Sequence, residues 1–113
     1  MPAGLERAIE LARERKAIGI VVLDLRELSS ATDYFLIASG RSDVQVRAIA
    51  EHILRSSRQE GRRPSHVEGL DQGRWVLIDH IHYVVHLFHP EVRDFYRLEA
   101  LWGDAPRIEV GER

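Results

Sequence analysis

A chain of 113 residues has room for one hydrophobic core and little more. Its 44% hydrophobic and 30% charged residues exclude intrinsic disorder, and a formal charge of −2 leaves no positive field for a polyphosphate backbone, so a protein partner is expected with little direct nucleic-acid contact. The lack of cysteine excludes a disulfide framework and a thiolate zinc site, and the lack of any run of roughly 20 apolar residues or of a signal-peptide core predicts a cytoplasmic protein without membrane attachment.

From Leu5 to Arg15, apolar residues at Leu5, Ala8, Ile9 and Ala12 fall on one side of a helix, and Gly19 punctuates it. Ile20 to Leu25 is a β-branched run suited to a buried strand. After the turn residues Ser29 to Asp33, Tyr34 to Ala38 forms a second strand, close enough to the first for antiparallel pairing. Ser42 and Gln45 have the spacing of a capping box, opening a helix whose stripe of Val46, Ile49, Ala50, Ile53, Leu54 and Ser57 runs until Gly61 stops it.

Pro64 to Glu68 reads as a third strand and Gly69 to Gly73 as a loop. Trp75 to Ile78 and Tyr83 to Phe88 make a hairpin, and Pro90 starts a last helix through Phe95, Tyr96, Leu98 and Leu101. The order predicts a single α/β domain over residues 1–113, with a mixed sheet of about five strands, packed helices, a core over about 5–102 and a loose tail over 103–113. Because residues of both parities are apolar in four of the strand runs, both sheet faces need cover, and the helices look too few to supply it. Trp75 and Leu77, alternate residues on one face, are a candidate patch for another chain; an ordinary core position for Trp75 is an equally good reading.

No residue pattern makes a positive case for catalysis. His80, His82, His86 and His89 have no motif-defined ligand spacing and read as surface and turn histidines rather than a metal site. Ser39-Gly40-Arg41-Ser42 precedes a helix amino terminus but lacks the P-loop pattern, so a turn with an N-cap explains it. Asp24, Asp33, Asp43 and Asp79 form no close pair for two-metal chemistry, and there is no nucleophile elbow. The rival enzymatic readings are a residual nucleotidyl or phosphoryl transferase using Ser39-Gly40 and Asp43, and a metal enzyme built on the histidines.

Five ordered strings carry a resemblance: Asp33-Tyr34-Phe35-Leu36-Ile37-Ala38-Ser39-Gly40 with Ser42; Glu68-Gly69; Trp75-Val76-Leu77-Ile78-Asp79; Val84-Val85-His86-Leu87-Phe88; and Arg93 to Trp102. Together they resemble the ribosomal silencing factor family, also called Iojap-like, in one register from about Leu5 to Trp102. The resemblance implies a nucleotidyltransferase-like shape without catalytic carboxylates, no enzymatic turnover and no cofactor or metal. It implies binding to protein uL14 of the large ribosomal subunit, so that the small subunit cannot join and translation is repressed; organellar relatives assist large-subunit assembly. The family's hairpin tryptophan, part of that surface, matches Trp75, with Glu68, Leu77 and Asp79 as expected neighbours facing a basic partner. Family members often carry an aspartate in the hairpin turn, commonly after a glycine, and this chain departs with Ile81-His82-Tyr83. A free chain with an uncovered sheet face is expected to form a homodimer.

Overall fold

The computed structural model describes residues 1–96 and 98–111, with side chains described outside 94–99. In chain order the elements are α1 (Ala3–Glu14), β1 (Ile18–Asp24), β2 (Tyr34–Ser39), α2 (Asp43–Gln59), β3 (His66–Glu68), β4 (Trp75–Asp79), β5 (Tyr83–Phe88), α3 (Pro90–Tyr96), α4 (Leu98–Leu101) and β6 (Arg107–Glu109). The strands form one mixed sheet in the order β3-β4-β5-β2-β1-β6, in which only β2 and β5 pair in parallel. The expected antiparallel β1–β2 pair and β4–β5 hairpin are both present.

Both long helices end in the same way. The residue after the C-cap turns left-handed, Lys16 at φ 61° and Gly61 at φ 81°. The next amide then reaches back to the last turn, Ala17 N–H to the Ala12 carbonyl at 3.0 Å and Arg62 N–H to the Ser57 carbonyl at 2.7 Å. Gly61 takes this conformation without strain, whereas Lys16 pays a steric penalty of roughly 1–2 kcal/mol. Gln45 offsets it, donating from Nε2 to the carbonyls of Arg15 and Lys16 at 3.3 and 3.2 Å. Ser42 caps α2 as its spacing predicts, accepting from Gln45 N–H at 3.1 Å; the return bond goes to Arg41 N–H, one residue before the cap. Gly19 does not terminate α1 but lies inside β1, where the register against β2 slips between Ile18 and Val21.

One expectation is corrected at the carboxyl end. The sheet has six strands, because Arg107–Glu109, placed in the loose tail, pairs antiparallel with Val21 to Leu23 at the sheet edge. The flanking bonds Asp24 N–H to the Pro106 carbonyl and Val110 N–H to the Ile20 carbonyl, each 2.9 Å, extend this ladder. The helix expected from Pro90 through Leu101 is helical wherever it is described, as α3 up to Tyr96 and α4 from Leu98.

The sheet divides the core in two. Ile20, Val22, Leu36, Ala38, Val76, Ile78, Val85 and Leu87 face α1 and α2 and make the larger cluster with Leu5, Leu11, Ile49 and Ile53. On the other face Val21, Leu23, Leu25, Ile37 and Phe88 pack with Ala105, and partly buried Phe35, Trp75, Val92 and Trp102 lie around them. The carboxyl-terminal segment therefore supplies cover that the sequence left unassigned. That cover is uneven, since the outward residues of β4 stay only half-buried while Val76 and Ile78 between them are fully buried.

Candidate functional site

The β-ladder brings the four sequence-selected residues onto one face. Glu68 lies opposite Leu77, and His66 opposite Asp79. Because side chains alternate along a strand, Trp75, Leu77 and Asp79 share this face and are continued on β5 by Phe88, His86 and Val84. Between Glu68, Gly69, Trp75 and Leu77 is a shallow groove of about 270 Å³. Gly69, at φ 79°, makes the approach of β3 to Trp75 possible: any Cβ there would collide with the Trp75 carbonyl oxygen.

The indole of Trp75 rests on the second core cluster without being enclosed by it. Its ring lies 4.9 Å from Phe88, tilted by 36°, and its Nε1–H donates to Nδ1 of His86 at 3.1 Å. Phe35 meets His86 edge-on at 4.5 Å and Trp102 edge-on at 6.0 Å, so an aromatic row continues beneath the tryptophan. Beside this apolar strip stand two carboxylates. Glu68, with 64% of its side chain exposed, lies 3.2 Å from His66 Nε2; Asp79, half-buried, accepts the Ile81 N–H at 2.7 Å.

The same Asp79 bond starts the β4–β5 turn. His82 N–H bonds the His80 carbonyl at 2.9 Å across Ile81, whose φ is 73°. An i-to-i+2 bond around a left-handed residue is the rarer and more strained form of γ-turn. A β-branched side chain suits that backbone badly. His82 is exposed and sits 3.6 Å from an Asp33 carboxylate oxygen.

The histidines do not behave as one group. His80 stacks on Tyr83 at 4.8 Å near the turn, and His89 starts the cap of α3 by accepting from Glu91 N–H at 3.3 Å. His86, expected among the surface and turn histidines, is instead buried, 4% exposed, because it lies in the central strand β5 between β4 and β2. Desolvation pushes its pKa down to about 4, with the Asp79 charge opposing. Among the described residues no three His, Asp or Glu side chains gather as metal ligands.

The remaining candidates have local duties. Asp24 is bound by Arg26 at 2.7 Å, which holds its carboxyl below the usual range, and Asp43 accepts from Val44 N–H at 3.0 Å. Ser39 Oγ accepts from Arg93 at 3.0 Å, while a Cβ on Gly40 would press on Val46. The sequence reading missed Phe35, His86 and Trp102 as parts of this face; the Cys-free, motif-poor chain carries no signal for them except strand parity, which is blurred where all six residues of β5 are buried.

Comparison with known proteins identifies the family and the fold. The sequence model for the ribosomal silencing factor during starvation, RsfS, matches residues 1–113. The ribosomal silencing factor RsfS of Bacillus subtilis is 44% identical over 106 residues, covering 94% of this chain and 90% of that protein. More distantly, the mouse protein named mitochondrial assembly of ribosomal large subunit protein 1 is 31% identical over 101 residues, 87% of this chain and 44% of its own length. A crystal structure of a Chromobacterium violaceum protein, 37% identical, superposes with a TM-score of 0.85 over 88% of this chain and 83% of that one. The chain belongs to the ribosomal silencing factor family.

Proposed function

We propose that this protein represses translation by occupying the large ribosomal subunit, binding its protein uL14 through the face that carries Trp75, Leu77, Asp79 and Glu68. The observation that carries the reading is the half-buried Trp75, an aromatic anchor standing on an apolar strip with carboxylates beside it. Such an anchor at the centre of a contact commonly contributes a few kcal/mol of binding, and flanking carboxylates complement a basic ribosomal protein. The mechanism is steric: a domain lodged where the subunits meet keeps the small subunit away, without chemistry, cofactor or metal, and its output is occupancy. It acts in the cytoplasm, where ribosomes are free to be held apart.

Free protein covers the same strip with a second copy, since a half-covered apolar surface is unfavourable in water and a two-fold dimer is the commonest remedy. The mouse relative's name favours a second reading, in which the same attachment serves assembly of the large subunit. Co-sedimentation with purified large and small subunits, followed by a joining assay, tests the proposal. Binding to large subunits alone, with joined ribosomes falling in proportion to occupancy, is the expected result; equal binding to both, or normal joining at saturation, refutes silencing. Normal joining together with accumulated large-subunit precursors in cells lacking the protein favours assembly.

A further inference from the structure

The row Leu77, His86, Ile37 and Val21 crossing the second face is apolar except at His86. Phe35 and Trp75 flank that imidazole, and Phe88 stacks nearly parallel to it at 6.2 Å. A polar ring in such surroundings is costly unless its nitrogens are bonded. Among the described residues only one is: Nδ1 takes the Trp75 indole N–H, while Nε2 is closed off from solvent and meets no hydrogen-bond partner there.

The indole nitrogen can only donate, so Nδ1 must present its lone pair and the ring proton must sit on Nε2. The opposite tautomer, or the charged imidazolium, would set an N–H against the indole N–H. His86 is thus a poor core residue with a single polar contact, and that contact is the edge of the proposed anchor. Leucine, of similar volume, would fill the position more favourably.

We infer that His86 is a positioning residue for partner binding: its neutral, Nε2-protonated ring holds the Trp75 indole in one orientation on the sheet, at a cost in stability to the free protein. This rests on the reading of Trp75 as the anchor. An indole fixed before contact loses less rotational freedom on binding, and the gain from fixing one such side chain is about tenfold in affinity.

The test uses the full chain and purified large subunits, with four variants: His86→Leu, which removes the acceptor; His86→Asn, whose side-chain oxygen falls near the place of Nδ1; Trp75→Phe, which removes the donor; and the Leu/Phe double variant. His86→Leu is expected to melt no lower than the parent, to shift the Trp75 indole N–H resonance, and to raise Kd about tenfold. His86→Asn should recover most of that loss, and in the Trp75→Phe background His86→Leu should change Kd less than twofold. A folded His86→Leu that binds like the parent overturns the inference, as does an equal loss in the Trp75→Phe background. A His86→Leu that melts far below the parent makes His86 a packing residue and overturns it too. Parental affinity in both His86→Leu and Trp75→Phe removes the positioning role but leaves the binding face standing, because Trp75→Glu tests that face separately.

Discussion

The two sides of β4 differ although they alternate along five residues. Val76 and Ile78 point toward α1 and α2 and are fully buried in the larger cluster, whereas Trp75, Leu77 and Asp79 point to the face that the carboxyl-terminal segment covers only in part. One side holds the fold together; the other is stable enough to keep its shape and open enough to be met by another molecule. Stability and binding should therefore respond separately to neighbouring substitutions, a separation that would not exist if β4 were an ordinary buried strand.

The largest effect is expected on the helix side. Ile78→Asp places a charge in a closed apolar cluster and should abolish folding, while Ile78→Ala should cost about 2–5 kcal/mol, both measured by denaturant unfolding. Next comes the outer side's own weakness. The pKa of His86 is about 4 in the folded protein and 6.5 as the ordinary value, so between these the unfolded chain takes up a proton that the folded chain refuses. Stability is therefore fully present above about pH 6.5, falls as the pH drops toward 4, and loses about 3 kcal/mol to this residue in that window. His86→Leu should flatten that slope, leaving the smaller contribution of His80, whose pKa burial also lowers. An unchanged slope in the variant would mean that the histidine is not held neutral.

The turn joining the two sides gives a smaller effect of opposite sign. Ile81 is exposed and left-handed, so Ile81→Gly removes strain without removing packing and should stabilise the protein by about 1 kcal/mol. A drop in melting temperature would show that the turn is not strained as described. Smallest in stability terms is Glu68→Lys, which should leave the melting curve unchanged while weakening large-subunit binding and reducing its sensitivity to salt.

How much of this was readable beforehand depends on how local each cause is. The capping of α2 by Ser42 and the stop at Gly61 were legible because they act over three or four residues. The shared face of Trp75, Leu77 and Asp79 was legible because strand parity alone sets it. β6 was not, since Arg107-Ile108-Glu109 has no apolar alternation of its own and becomes a strand through the free edge of β1. His86 was hidden for a related reason: neighbouring histidines suggest a turn, and only the position of β5 between β4 and β2 buries this one. The γ-turn at Ile81 could be suspected from the departure at Ile81-His82, but its handedness needed the backbone.

The central claim is that the outer side of β4 is a binding surface with Trp75 at its centre, and Trp75→Glu tests it in one protein. Thermal melting and co-sedimentation with large subunits are measured together. The account predicts a variant that melts near the parent, because the indole is only half-buried, and that no longer sediments with large subunits. A variant that is folded and still blocks subunit joining at parental concentrations, or one that unfolds as a buried charge would make it, contradicts it.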